Sequence, residues 1–374
     1  MVLAAVLLAG GLLVLAVGAD QLVIGASRLA LARGISPIVI GALVIGFGTS
    51  APEMLVSGLA AADGKADLGV GNIVGSNVAN LSLVLGFAAL VAALAAGGRR
   101  IRVARSTLWR EGMVAVVAAV LFWVLIQDGF QRWEGVVLAV AFVLSMTAIL
   151  RRPAHAGKVV GEVARRDKLI SQPFELGRTV LGLTATVTGA QLAVEGAVDI
   201  AQEVGLGTGF VGLSLVAFGT SLPELITGVQ AARRGEADLL VGNILGSNTF
   251  NSLLVGALVA LLGPGPLVDG NLSGLAVWIM VGISAGAWLI MFLGNGLKRW
   301  WEGALLLAVY LVSMPFLVSG DTDEAGNVAR SVPAGEVVAR PGVEREADPS
   351  GGFRLIPAAE VVARPGGELQ VVSA

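Results

Sequence analysis

The chain has no cysteine, one histidine, one tyrosine and few charges: 14% of its 374 residues are Asp, Glu, Lys or Arg. Without cysteine there is no disulfide and no thiolate metal site. The one histidine, His155, lies among charged residues between apolar stretches. There it reads as a solvated loop residue and not as a ligand or base. Soluble domains carry about 25% charged residues. At 55% hydrophobic and a mean hydropathy of +0.83, this chain is too apolar for a soluble globule. The net charge of −2 says nothing about partners, because the charges are sorted by loop. A cleavable leader is not evident either. Val2 to Val17 lacks a basic flank and continues into further apolar sequence, so it reads as the first span.

What is present is a series of apolar runs, each of the roughly 20 residues needed to span a bilayer as a helix. They fall at 2–31, 36–61, 69–96, 108–126 and 132–150, then at 177–202, 208–232, 239–262, 273–294 and 300–318. The fold class expected is an all-α polytopic membrane protein of ten transmembrane helices in two five-helix repeats. The first repeat is 1–150, the second 177–318, and a basic, polar linker at 151–176 joins them. From Ser319 the chain changes to Gly, Pro, Glu and Asp, with EVVARPG at 336–342 and again at 360–366. Such a composition buries too little apolar surface to offset its ordering entropy, so 319–374 is expected to be a disordered tail.

The two sets of five repeat each other at an offset of 171 positions. GFGTSAPE at 46–53 matches AFGTSLPE at 217–224, and VGNIVGSNVANL at 70–81 matches VGNILGSNTFNS at 241–252. The same offset pairs Gly18 with Gly189, Gly25 with Gly196 and Gly41 with Gly212. This is an internal duplication. Five spans is an odd number, so the second copy must enter the membrane from the opposite side, and the loop charges agree. The loop Arg99 to Arg105 carries four arginines, whereas its repeat counterpart GPGPLVDGN carries none. Of the 20 Lys and Arg up to Arg299, only Lys65 and Arg132 fall on the other face. The positive-inside rule places the basic face in the cytoplasm and both termini outside. Trp133 and Trp301, each in a WEG tripeptide, suit interfacial anchoring.

Glu53 and Glu224 stand inside apolar spans, where a carboxylate is costly and points to function. On a helix, i and i+4 share a face. Thr49 with Glu53 and Ser76 with Asn80 are so spaced, as are Thr220 with Glu224 and Ser247 with Asn251. Pro52 and Pro223 lack an N–H, so carbonyls one turn earlier, around Gly46 to Gly48 and Ala217 to Gly219, are expected to lose their donors. A single T-S-x-P-E also fits a helix start, with Ser50 as cap and Glu53 three residues on. Four polar segments repeated in register within apolar spans are more than caps require. Carboxylates, hydroxyls, amide oxygens and freed carbonyls form an all-oxygen shell suited to hard cations such as Ca²⁺ or Na⁺. Zn²⁺ or Cu²⁺ would call for His or Cys. Asp20, near the middle of the first span, has Gln191 as its repeat partner and stands outside this symmetric set.

In these motifs the chain resembles the cation/Ca²⁺ antiporter superfamily, in particular its prokaryotic Na⁺/Ca²⁺ exchanger-like members, over residues 1 to 318. The resemblance implies ten helices in two inverted halves, with the long first and sixth helices sliding against a rigid remainder to give alternating access. It implies that Glu53 and Glu224 bind Ca²⁺ and share Na⁺, with carbonyls from Thr49 and Thr220. Ser50, Ser221, Ser76 and Ser247, with the carbonyls of Gly46 and Ala217, would complete the Na⁺ positions, and Asn80 and Asn251 would lie at the centre. Some relatives carry aspartate where this chain has Asn251; two buried acids instead of three weaken the case for a coupled K⁺. The implied activity is antiport, Na⁺ in and Ca²⁺ out, across a bacterial or archaeal inner membrane; an H⁺-coupled antiporter of Ca²⁺ or another divalent cation is the alternative. The partners implied are the two ions and membrane lipid, with no cofactor, nucleic acid or obligate protein partner. A channel or an intramembrane serine enzyme are the other classes. The enzyme lacks a base, because no His or Lys lies within these spans.

Because the chain has no cysteine of its own, the topology is directly testable. A membrane-impermeant maleimide should label Asp128→Cys on intact cells, and Ala154→Cys only after permeabilisation. Labelling of both from outside would overturn the assignment.

Overall fold

The computed structural model describes residues 2–33, 35–94, 100–150, 172–203, 217–267 and 269–318, and five short strands between 337 and 372. The first helix, α1, covers Val2–Arg33. Next come α2 (Pro37–Thr49) and α3 (Ala51–Ala62), which meet at an angle of 47°. They are followed by α4 (Ala66–Leu94), α5 (Arg105–Leu125) and α6 (Arg132–Leu150). The second half holds α7 (Gln172–Glu203), the short α8 (Ala217–Thr220) and α9 (Leu222–Arg234). It ends with α10 (Ala237–Leu262), α11 (Gly270–Gly294) and α12 (Trp300–Val318).

Among the described residues seven helices are long and apolar enough to cross a membrane, or eight if the bent α2–α3 pair counts as one span. The ten spans expected are therefore met in part. Helix α7 is long enough but polar, with Thr184, Thr186, Thr188, Gln191 and Glu195 along it. The span expected at 208–232 begins in residues that lie outside those described. Helix α7 also starts at Gln172, inside the stretch read as linker. Pro173 fits a first helical turn, where its missing N–H is no loss, and Glu175 stabilises the same end. The remainder of the linker lies outside the described residues.

Helices α1 and α7 run antiparallel along their whole length, and glycine makes this possible. Gly11, Gly18 and Gly25 recur every seven residues on α1, and Gly182, Gly189 and Gly196 do so on α7. A methyl group at Gly18 would stand 2.6 Å from the Thr186 amide nitrogen, and one at Gly25 would stand 2.6 Å from Thr179 Oγ1. Small residues on one stripe let two backbones approach closely, which is how helices associate where no hydrophobic force drives them together. Beyond the seam, Arg28 bonds Glu175 at 3.1 Å and Arg178 bonds it at 3.3 Å, so the buried Glu175 is fully compensated.

The rest of the membrane unit packs around two apolar clusters, each drawn from both halves. One includes Leu22, Ile45, Leu85, Leu239 and Leu245; the other includes Ile73, Phe122, Leu138, Val255 and Met280. The connecting loops pair crosswise between halves. Strand β1 (Ile101–Arg102), before α5, pairs antiparallel with β2 (Gly296–Leu297), before α12. Elsewhere Phe130, before α6, exchanges backbone bonds of 2.8 and 2.7 Å with Gly265, before α11.

Residues 318–374 form a separate unit. Five short strands are described in it, at positions where a disordered tail is expected. The two copies of EVVA pair with each other as β3 (Val337–Ala339) and β6 (Glu360–Ala363), and β7 (Leu369–Val372) joins β6. Strands β4 (Val343–Ala347) and β5 (Phe353–Pro357) make a second antiparallel pair. Composition averaged over the tail hides these short runs of β-branched residues, which favour strands.

The glycine seam predicts a position-specific effect. Gly18→Ala should lower stability by about 1–3 kcal/mol, the usual penalty of overpacking. Gly10→Ala, where a methyl group meets nothing within 4 Å, should leave the melting temperature unchanged or raise it. Equal effects in a thermal melt of the purified protein would refute the seam.

Candidate ion-binding site

The helix break at Pro52 places the first motif. Ser50 leaves the helical region, with φ −83° and ψ 6°, between α2 and α3. Its repeat mate Ser221 does the same between α8 and α9, with φ −89° and ψ 2°. Each break turns the following Glu into the core. Glu53 is 2% exposed and Glu224 is fully buried. Thr49, Ser50, Ser76, Ser247, Asn80 and Asn251 are equally buried, and Thr220 and Ser221 nearly so.

The motifs interlock across the two halves. Ser50 donates to Glu224 Oε1 at 3.1 Å, and Ser221 donates to Glu53 Oε1 at 3.4 Å. Since 50 pairs with 221 and 53 with 224 at the repeat offset, these two bonds are the same bond made twice. Thr220 adds a hydroxyl beside Glu53, and Thr49 adds one beside Glu224. Ser221 Oγ also lies 3.4 Å from Ser76 Oγ. On the other side, Ser247 donates to the Gly46 carbonyl at 3.3 Å.

The second motif pair sits on α4 and α10, in segments where the helix widens to i→i+5 bonding. These segments are Ala79–Val84 and Phe250–Val255, and a third, Gly41–Gly46, lies in α2. Such widened turns occur frequently at functional sites. Asn80 and Asn251 occupy corresponding places in them. Close approach between α2 and α10 makes the contact possible. A methyl group at Gly246 would stand 2.6 Å from the Ala42 Cα, and one at Gly46 would stand 3.1 Å from the Ser247 nitrogen.

Several buried oxygens in this region have no hydrogen-bond partner: Glu53 Oε2, Glu224 Oε2, Asn80 Oδ1 and Asn251 Oδ1. A buried acceptor left unpaired costs roughly 1–3 kcal/mol, and more if it is charged. These four acceptors come from the four duplicated segments, and the Nδ2 of Asn251 is likewise unpartnered. The donor set is hard oxygen throughout, which fits Ca²⁺ or Na⁺ and not a soft metal.

The structure brings together most of the residues picked from the sequence. Ala217 opens α8, and the residues before it lie outside those described. One expectation needs correcting. The Gly46 carbonyl does not lose its donor, because it accepts the Ser50 N–H at 3.1 Å as well as the Ser247 hydroxyl. The helix bends and closes a turn at Ser50 instead of unwinding. Asp20 also finds its explanation, in a charge-assisted bond of 2.8 Å from Arg234 Nε. Sequence reasoning passed over three asparagines. Asn80 donates to Asn248 Oδ1 at 3.0 Å, Asn248 donates to the Asn77 carbonyl at 3.1 Å, and Asn243 Oδ1 lies 3.3 Å from Thr49 Oγ1. Asn77 and Asn248 are repeat mates within GSN, so the 171-residue register already held the signal.

Comparison with known proteins agrees with this architecture. A family model described as sodium/calcium exchanger protein matches residues 3–151 and 174–318. The inner membrane protein YrbG of Escherichia coli is 36% identical over 274 residues, covering 71% of this chain and 82% of YrbG. The sodium/calcium exchanger MaX1 of Methanosarcina acetivorans is 30% identical over 345 residues, covering 82% and 96% respectively. A solved structure of the sodium-calcium exchanger NCX_Mj, soaked with Na⁺ and Ca²⁺, superposes with a TM-score of 0.71 at 28% identity, covering 84% of this chain and 98% of that one. With both halves matched by one family and the same fold over 84% of the chain, the chain belongs to the sodium/calcium exchanger protein family, whose members are membrane transporters and not enzymes.

Proposed function

We propose that the protein is a secondary antiporter that exports Ca²⁺ in exchange for Na⁺ by alternating access. The observation that carries this reading is the pair of crossed bonds, Ser50 to Glu224 and Ser221 to Glu53, each leaving the other carboxylate oxygen buried and unpartnered. Two carboxylates balance one divalent ion. With Ca²⁺ absent, two Na⁺ ions would balance the same charge, so the two cargoes compete for one set of oxygens. Glu53 and Glu224 are proposed as the charged ligands. Thr49, Thr220, Ser50, Ser221, Ser76 and Ser247 supply hydroxyl or carbonyl oxygen, and Asn80 and Asn251 supply amide oxygen. Gly46 and Ala217 are proposed to contribute carbonyls from the turn before each serine break, Gly46 once the Ser247 hydroxyl turns away. Symmetry-related broken helices at the centre of a duplicated fold are how secondary transporters hold ions.

The proposed topology is ten spans in two inverted halves, with the basic loops in the cytoplasm and both termini outside. The crosswise loop pairing supports it. In inverted halves, the loop before the fourth span of one copy shares a face with the loop before the fifth span of the other, and both such pairs touch. The α1–α7 pair, joined by glycine and tied to the remainder by polar contacts such as Asp20 to Arg234 and Ser27 to Glu236, is the proposed moving part. A second reading, H⁺ in place of Na⁺, draws on the free Oε2 of each glutamate, which could carry a proton.

Uptake of ⁴⁵Ca²⁺ into proteoliposomes separates these readings. Internal Na⁺ should drive uptake, whereas choline should not. Glu53→Gln should weaken Ca²⁺ binding at least about 100-fold, since removing one partner of a buried charge pair costs about 3–5 kcal/mol. Uptake driven by internal acid alone would replace Na⁺ with H⁺. Undiminished exchange in the Glu53→Gln protein would overturn the site.

A further inference from the structure

We infer that the cleft beside the β1–β2 ladder is a binding site for the headgroup of an anionic phospholipid. The cleft is about 530 Å³ and is lined by Arg100, Arg102, Val103, Ala104, Asn295 and Lys298. It joins the two halves, because Arg100 and Arg102 precede α5 whereas Asn295 and Lys298 precede α12. The ladder sets Ile101 opposite Leu297 and Arg102 opposite Gly296. One step further along that register, Arg100 comes opposite Lys298. Like charges directly opposed across strands are destabilising, so this arrangement calls for an anion between them.

The described residues supply none. Among the described residues no carboxylate pairs with Arg100, Arg102 or Lys298. The nearest acid in sequence, Glu302, accepts the backbone amides of Lys298 and Arg299 at 2.6 and 3.0 Å instead. The backbone of the cleft is held in place by its turn. Asn295 and Gly296 both adopt positive φ, 51° and 102°, and a side chain at Gly296 would collide with the Ile101 carbonyl. The cationic groups are therefore presented on a fixed frame, not on a loose loop.

The surroundings say which phosphate source fits. One helical turn in from Arg105, Trp109 is 51% exposed and packs its ring 5.9 Å from Trp288 and 5.7 Å from Phe292. Arg105 lies 4.4 Å above the Phe292 ring. Exposed tryptophans at helix ends mark the membrane–water boundary, so the cleft sits at headgroup depth with an aromatic shelf beneath it. A phosphate would bridge Arg100, Arg102 and Lys298 while the acyl chains lie against Trp109 and Phe292. Basic pockets between transmembrane helices bind anionic headgroups in this way.

The test uses the purified full-length protein in neutral detergent. Native mass spectrometry and thermal melting are followed while phosphatidylglycerol, phosphatidylcholine or soluble glycerol phosphate is added. Phosphatidylglycerol should be retained and should raise the melting temperature saturably, and phosphatidylcholine should do neither. Each cationic charge near a membrane surface is worth about 1 kcal/mol, so Lys298→Gln should weaken binding about fivefold, and adding Arg102→Gln should weaken it about fivefold more. Lys298→Gln leaves the backbone pairing intact, and Arg102→Lys should keep the affinity. Unchanged binding in the double variant would overturn the site. Glycerol phosphate binding as tightly as phosphatidylglycerol would overturn the lipid assignment.

Discussion

Two carboxylates buried in the middle of a membrane protein are the constraint on which the rest depends. Among the described residues, neither Glu53 nor Glu224 pairs with a cationic side chain. Each is held instead by a serine hydroxyl from the opposite half, at 3.4 and 3.1 Å. A hydroxyl orients a carboxylate without neutralising it, and burying a charge is costly unless it is paired. The arrangement therefore remains incomplete without a cation or a proton. On the proposed reading, such a site is unfavourable when empty, which would suit exchange because it disfavours crossing the membrane unloaded.

That constraint explains features that would otherwise look like separate irregularities. The bonds between halves require the broken ends of α2–α3 and α8–α9 to face each other, so both helices break at serine just before proline. They also require α10 to lie almost against α2, which Gly46 and Gly246 allow. The widened turns at Ala79–Val84 and Phe250–Val255 lie beside asparagines that tie α4 to α10, through Asn80, Asn248 and Asn77. The scaffold around the site is thus cross-linked by hydrogen bonds between the two copies. By contrast, α1 and α7 meet mainly each other, through glycine and backbone. Their bonds to the remainder include Asp20 with Arg234 and Ser27 with Glu236.

The same two-copy logic reaches the membrane surface. The loop before α5 pairs with the loop before α12, and the loop before α6 with the loop before α11. One junction is neutral, around Phe130 and Gly265; the other is basic, around Arg102 and Lys298. The duplication is symmetric in its buried polar motifs and asymmetric in its loop charges.

The amino-acid sequence by itself determined the membrane class, the duplication and the identity of the buried polar positions. These are written in local, periodic signals: hydropathy over a span, a 171-residue offset, and i,i+4 spacing. Glu53, Glu224, Ser50 and Ser221 could be found in that way because a carboxylate or hydroxyl repeated inside an apolar run stands out. Tertiary structure decided which group meets which. Nothing local in the sequence says that Ser50 bonds the glutamate of the other copy, that Asp20 reaches Arg234, or that Gly46 keeps its backbone donor and gains Ser247. The widened turns and the strand pairing of the two EVVA segments were equally hidden. Each depends on the rotation of a helix about its axis or on the approach of distant segments. Those are fixed by packing small residues across the fold, and no single stretch of sequence contains both sides of such a contact.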